Sequence, residues 1–338
     1  MKEHAQASVK KIRKKGHMTE PDTIRKTPTV TILTKAYTES QTRKKFKNCM
    51  EKHRIPESEL IINSDGSIYH LHLKPEDLAS VIFTVGDPER VPLVSRNFDS
   101  IDFQTQKREF VTHTGTLNGQ RVSVMSTGMG TDNIEILMTE LDALVNVDFE
   151  TRTVKEEKTS LQIIRLGTSG AMQADLAVGT LLASEIAIGM DSLMSYYPPL
   201  SGNQEIAQAI QGELNLPFRP YQARAAFKLV NRLDDRFEKG VTLTCPGFYA
   251  PQGREVRLKP RFDQFIERLA GLEVNGRRLT NFEMETAGYY AMGELLGHQM
   301  LSLNAIVANR PNREFDKKAE KTVDRMIHAA LELLAVKK

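Results

Sequence analysis

Leu161-Gln162-Ile163-Ile164-Arg165-Leu166-Gly167-Thr168-Ser169-Gly170-Ala171 is the stretch on which the fold turns. Its first half, Leu161–Leu166, is an apolar run of β type, too short to be a helix with a face of its own. One arginine sits inside that run. A guanidinium buried in a strand needs an anion or a carboxylate as partner. A structural salt bridge meets that need, and so does a bound ligand. Two glycines and two hydroxyls follow, a composition suited to a phosphate-binding turn. The lysine and spacing of a nucleotide P-loop are missing, so ATP-type binding is not indicated.

Similar runs recur on both sides. Val81–Val85, Val178–Ile186, Val241–Cys245 and Met300–Ala308 read as strands. Between them, Asn133–Leu144, Ala287–Leu296 and the C-terminal Val323–Leu334 place apolar residues at helical spacing. This alternation predicts an α/β domain. Asn118-Gly119 lies between Val111–Leu117 and Arg121–Ser126, which predicts a hairpin and hence a mixed sheet. Thr151–Ser160 reads as an exposed excursion.

Composition narrows the rest. The 338 residues carry a net charge of +3, but residues 1–54 hold +10 of it and residues 55–338 hold −7. The chain divides into a basic arm, 1–54, and a mildly acidic body, 55–338. Thr27–Thr34 is a lone β-like segment in the arm. Such an arm could contact nucleic acid through phosphates, or be a solvated tail. It is too acid-containing for a transit peptide and has no apolar stretch for a secretory signal. No run of 18 apolar residues occurs. Cys49 and Cys245 cannot build a disulfide framework or a metal cluster. A reducing cytoplasm is the expected setting.

In open α/β sheets, ligands bind at the carboxyl ends of strands. Besides the Arg165 segment, three such ends carry unusual groups. Gly86-Asp87-Pro88-Glu89-Arg90 follows Val81–Val85; its glycine allows an anion to approach the backbone, and Arg90 offers a fork for phosphate. It also reads as an ordinary capped turn. Ser126–Asn133 holds Gly128 and Gly130 but lacks the third glycine of a dinucleotide fingerprint. Asn281-Phe282-Glu283-Met284-Glu285-Thr286 presents two carboxylates, which suit sugar hydroxyls, acid/base chemistry or simply a helix N-terminus. Phe248-Tyr249-Ala250-Pro251-Gln252-Gly253-Arg254 joins aromatic faces to polar groups able to address a base. Tyr69-His70-Leu71-His72 reads as a strand with two histidines on one face.

Taken in order, YHL at 69–71, GDPERV at 86–91, KREF at 107–110, STGMG at 126–130, RLGTSGA at 165–171, FYAPQGR at 248–254 and NFEMET at 281–286 resemble the nucleoside phosphorylase family, and within it most closely the uridine phosphorylases. The resemblance covers about four-fifths of the chain and leaves out the arm. It implies one three-layer α/β/α domain whose mixed central sheet is partly barrel-like. It implies a pentosyl transfer, the reversible phosphorolysis of uridine to uracil and ribose 1-phosphate. Carried over by motif, Gly86, Arg90, Arg165 and Thr168 would hold phosphate. Arg108 would reach the phosphate, and His70 the ribose 5′-hydroxyl, of a neighbouring subunit, so a homodimer or hexamer is expected. Glu283, Met284 and Glu285 would embrace the ribose. Phe248 would stack near the base, with Gln252 and Arg254 on the uracil edge. Arg165, Arg254 and Glu285 would carry the catalysis. No cofactor or catalytic metal is implied. A monovalent cation can sit at the dimer interface of related enzymes near the glutamate matching Glu109. Met129 and Asn133 occupy nearby matching positions, and Asn133 stands where a serine is common.

The purine-specific relatives share the fold and the phosphate arginines but usually carry a Ser-Asp near the end of a late strand. Here that strand leads into Ala308-Asn309-Arg310. A purine or broad-specificity phosphorylase is therefore the second expectation. A nucleic-acid-binding protein acting through the arm is a third.

Overall fold

A computed structural model describes residues 53–334. Most of the arm, with Thr27–Thr34, lies outside the described residues. Arg54 bridges to Thr153, and the Ile55 amide donates to the Arg152 carbonyl at 2.8 Å.

The strands are β1 (Val81–Val85), β2 (Ser100–Lys107), β3 (Phe110–Leu117), β4 (Gln120–Ser126), β5 (Val147–Asp148), β6 (Thr153–Val154), β7 (Gln162–Ala171), β8 (Leu181–Gly189), β9 (Tyr221–Arg224), β10 (Phe237–Thr244), β11 (Glu273–Val274), β12 (Arg277–Glu283), β13 (Gln299–Asn309) and β14 (Glu314–Phe315). The helices are α1 (Arg90–Ser95), α2 (Thr131–Asn146), α3 (Glu205–Leu214), α4 (Phe227–Val230), α5 (Phe265–Ala270), α6 (Thr286–Leu296) and α7 (Ala319–Leu334). The main sheet runs β11-β12-β10-β8-β13-β7-β1-β4-β3-β2, with β9 on β8 and β14 on β13. It is mixed: β1 lies parallel to β4 and β7, whereas β13 meets β8 antiparallel. β12 also pairs antiparallel with β7 through Asn281–Ala171 and Phe282–Gly170. That last pairing closes β7, β13, β8, β10 and β12 into a ring, the barrel-like part of the sheet.

Alternation along β1 distributes the core. Val81, Phe83 and Val85 point into one cluster with Met326, Ile327 and Ala330 of α7, while Ile82 joins the other face with Ile134, Leu137 and Tyr289 of α2 and α6. A third cluster packs Ile206 and Ile210 of α3 and Leu269 of α5 onto β8, β10 and β12. Helices thus cover both faces. The β3–β4 hairpin turns at Asn118 and Gly119, both with positive φ (51° and 73°), as a two-residue turn of this kind requires. The 151–160 excursion is anchored by the small β5–β6 ladder and by buried Arg152, whose Nε donates to the Ile55 carbonyl at 2.9 Å.

Two local expectations change. Gly167–Ala171 is not a turn: β7 continues through it, because Asn304–Asn309 of β13 pairs with it on one side and β12 on the other. Tyr69–His72 is a turn rather than a strand, with His72 at φ 54°. The Glu140 carboxylate holds that turn by accepting from the amides of His70 (3.0 Å) and Leu71 (2.9 Å).

Candidate active site

The ends of β1, β7, β12 and β13 open into one cavity of about 1230 Å³. Its lining includes Gly86, Arg90, Arg165, Thr168, Phe248, Gln252, Arg254, Glu283, Met284 and Glu285. Motifs scattered over two hundred residues are thereby brought to one place. His70 and Arg108 do not line it. They sit together elsewhere, with Tyr69 between them: its ring meets His70 edge-on at 4.7 Å and lies 5.7 Å from the Arg108 guanidinium. His70 Nδ1 is 2.6 Å from Glu140 Oε1.

One end of the cavity is cationic. Arg90 enters from the start of α1 and touches the Leu166 carbonyl at 3.4 Å. Among the described residues it forms no ion pair. Burial, and then the nearby charge of Arg165, push its pKa below the ordinary arginine value. An anion placed between the two would relieve both effects.

Arg165 is only 6% exposed. Its Nη2 reaches Glu285 at 2.5 Å and Glu283 at 3.1 Å, and its Nη1 reaches Asn304 Oδ1 at 3.1 Å. Burial opposes its charge, but the two glutamates outweigh that and hold its pKa above the usual value. The salt bridge expected for this arginine is present, and the same guanidinium lines the cavity. Room for it comes from Gly167, where any Cβ would stand 1.9 Å from Arg165 Nη1. Sequence reading missed this purpose of Gly167; an arginine two residues before a strand glycine is its signal.

The carboxylates divide their work. Glu283 accepts from the amides of Glu285 (3.0 Å) and Thr286 (2.9 Å) and from Thr244 Oγ1 (2.7 Å). It therefore caps α6 and is also a wall of the cavity. Glu285 accepts the Gly130 amide at 2.8 Å as well as Arg165. Burial raises the pKa of Glu285, Arg165 pulls it down, and adjacent Glu283 raises it; the net direction is upward. Gly130 has φ 96°, which glycine adopts without strain, and this aims its N–H at the carboxylate. Beside it, a Cβ on Gly128 would meet Asn133 Nδ2 at 2.5 Å and Glu109 Cγ at 3.1 Å, so Glu109 and Asn133 flank the same loop. Met129 is exposed at the rim.

The other end is built on the loop after β10. Arg254 stacks on the Phe248 ring at 3.7 Å, and its Nη1 donates to the Phe248 carbonyl (2.5 Å) and to Gln252 Oε1 (2.6 Å). Gln252 is 3% exposed, whereas Phe248 is 51% exposed. Burial, and then Arg310, lower the Arg254 pKa to about 10. Arg310, at the end of β13, donates to the Gln252 carbonyl at 3.1 Å, and the Phe282 ring lies 5.9 Å from Arg254 and 5.8 Å from Arg310. Neither Arg310 nor Phe282 was singled out from sequence, although the strand-end rule applies to both. Asn309 is committed to the backbone, donating to the Leu176 carbonyl at 2.8 Å.

The cavity thus offers arginines for an anion, carboxylates for hydroxyls, and an aromatic loop with a polar edge for a flat heterocycle. The chain is also similar to known proteins. Residues 80–335 match the family model of the phosphorylase superfamily. The uridine phosphorylase of Thermococcus kodakarensis is 31% identical over 271 residues, 80% of this chain and 88% of that protein. A DeoD-type purine nucleoside phosphorylase of Streptococcus suis is 28% identical over 270 residues, 78% of this chain and 98% of its own. Among solved structures, a Trypanosoma brucei nucleoside phosphorylase with uridine phosphorylase activity superposes with a TM-score of 0.71 at 30% identity, covering 81% of this chain and 99% of that one. With three-quarters of its length inside the family model and its strand-end residues gathered in one cavity, this chain belongs to the phosphorylase superfamily.

Proposed function

We propose that the protein catalyses the reversible phosphorolysis of uridine to uracil and ribose 1-phosphate. The observation that carries this is the polarity of the one cavity: Arg90 and Arg165 at one end, Gln252 and Arg254 at the other, and Glu283–Glu285 between. Phosphate binds between Arg90 and Arg165, beside Gly86 and Thr168, and takes over part of the guanidinium now turned toward Glu285. That releases Glu285 to accept from the ribose 2′- and 3′-hydroxyls, with Met284 against the sugar. A phosphate oxygen forms the bond to C1′ as the glycosidic bond breaks, and the electron pair leaves with the base. Positive charge growing on the ribosyl group is met by the phosphate. Negative charge growing on uracil is met by Arg254 and Gln252, so no neutral acid need protonate the leaving group. Arg254 must leave its stack on Phe248 for this, which frees that face for the base.

His70 and Arg108 lie outside the cavity of their own protomer. We infer a cytoplasmic homo-oligomer in which they complete a neighbour's site, His70 at the ribose 5′-hydroxyl and Arg108 at the phosphate. Glu109 and Asn133 would be the oxygen donors for a monovalent cation at that interface; no step of the transfer passes through it. Among the described residues, no helix is long and apolar enough to cross a membrane. The test is a panel of uridine, deoxyuridine, thymidine, inosine and adenosine, each with and without phosphate. Phosphate-dependent cleavage with uridine preferred is expected. Cleavage without phosphate, or a preference for inosine, overturns the assignment.

A further inference from the structure

Arg165 is held on its far side by groups that carry no charge. Across the β7–β13 ladder its partner is Ser302, but its guanidinium runs on over Gly167 to Asn304, the residue paired with Gly167. Nη1 donates to Asn304 Oδ1 at 3.1 Å, with Ser302 Oγ at 3.4 Å. The Asn304 amide is itself fixed: Nδ2 donates to Ser184 Oγ at 3.1 Å. Ser184 Oγ lies 2.5 Å from Thr242 Oγ1, which donates to Asn281 Oδ1 at 2.9 Å, and Asn281 Nδ2 donates to Ser169 Oγ at 2.9 Å. Every member of this chain is buried, and Asn304, Ser184, Thr242 and Asn281 are fully so. It crosses the closed ring of strands and returns to β7.

We propose that Asn304 is a positioning residue for phosphate, acting through Arg165. Nη2 faces two carboxylates and is the side that must exchange partners when phosphate binds. Nη1 needs an acceptor that stays in place during that exchange and does not cancel the cationic charge. A neutral amide oxygen does both; a third carboxylate would hold the guanidinium equally well but oppose the incoming anion. The hydroxyl chain behind Asn304 sets which end of the amide faces Arg165, because Ser184 offers an acceptor to Nδ2. The inference rests on Arg165 binding phosphate, as proposed above.

Asn304→Asp and Asn304→Ala test it, with initial rates measured against phosphate and against nucleoside separately. Asn304→Asp keeps the acceptor and the shape but adds charge, and its phosphate KM is expected to rise about tenfold or more with the nucleoside KM within twofold. Asn304→Ala should raise the phosphate KM less, by a few-fold. Ser184→Ala, which only loosens the amide, should raise it least. Direct titration of each variant with inorganic phosphate should follow the same order without turnover. A phosphate KM unchanged in Asn304→Asp, or phosphate and nucleoside KM values rising together in Asn304→Asp and Ser184→Ala, overturns the role. Should Asn304→Asp not fold, Ser184→Ala alone decides by the same split. If the wild-type protein cleaves uridine without phosphate, it is the phosphorolysis that fails, and the variants need not be made to see it.

Discussion

At the Arg90 end of the cavity, Arg165 rises from the middle of a strand, 6% exposed, with carboxylates on one nitrogen and an amide on the other. At the other end, Arg254 rides on a loop, stacked on a half-exposed phenylalanine and, among the described residues, hydrogen-bonded to its own loop. Both are arginines in one cavity, yet the first is woven into the core and the second is latched to itself. The contrast teaches what each must do. Under the proposed function, a phosphate is the same in every turnover, so its cation can be built into the sheet. Under the same proposal, a base must be admitted, recognised and released, so its cation sits where a few rotations suffice.

The hardest way to break that contrast is Arg165→Ala. It should cost about 10³ in kcat/KM, the upper range for one transition-state donor. It should also lower folding stability by about 3–5 kcal/mol, because Glu283 and Glu285 are left buried without a counter-charge. Urea unfolding beside kinetics would show both. A variant that is inactive but fully stable would mean that Arg165 is not part of the core after all.

Arg254→Ala should act on one end alone. A loss of about 10² in kcat/KM for uridine is expected, with the phosphate KM within about threefold and an unchanged unfolding midpoint. Equal damage to the kinetics of both substrates would contradict the division between the ends.

The smallest effect concerns pH. Burial and Glu283 raise the pKa of Glu285. Its carboxylate form is therefore lost at a higher pH than for an ordinary glutamate as the solution is acidified. The rate with uridine should fall a few-fold on that acid limb, and Glu285→Gln, slower throughout, should lack the limb. A limb that persists in Glu285→Gln belongs to another group.

Much of this contrast was legible in residues. The strands β1, β7 and β13 announced themselves as apolar runs, Asn118-Gly119 gave the hairpin away, and Arg165 stood out because a charge inside such a run demands a partner. The same logic would have found Asn304, a lone amide within Met300–Ala308, but an uncharged group raises no alarm. The closure of β12 on β7 was legible only through the family resemblance, since nothing local in either strand encodes a pairing so distant in sequence. Tyr69–His72 misled because alternation mimics a strand when the true cause is a turn held by the far-off Glu140. Arg310 escaped because it follows a strand that reads as plain core, and Phe282 because the carboxylates beside it drew the reading.

The closed ring has a temporal consequence. Arg165 meets Glu285 across 120 positions of chain and Asn304 across 139. β13, which lies beside β7 for its whole length, is also among the last strands to leave the ribosome. Contacts this distant exact a large loop-closure entropy before they return any stabilisation, and topologies built on them fold slowly. Until β13 slides into place, the arginine at the heart of the cavity lacks its amide partner, and a young chain with most of its residues made holds that guanidinium from one side alone.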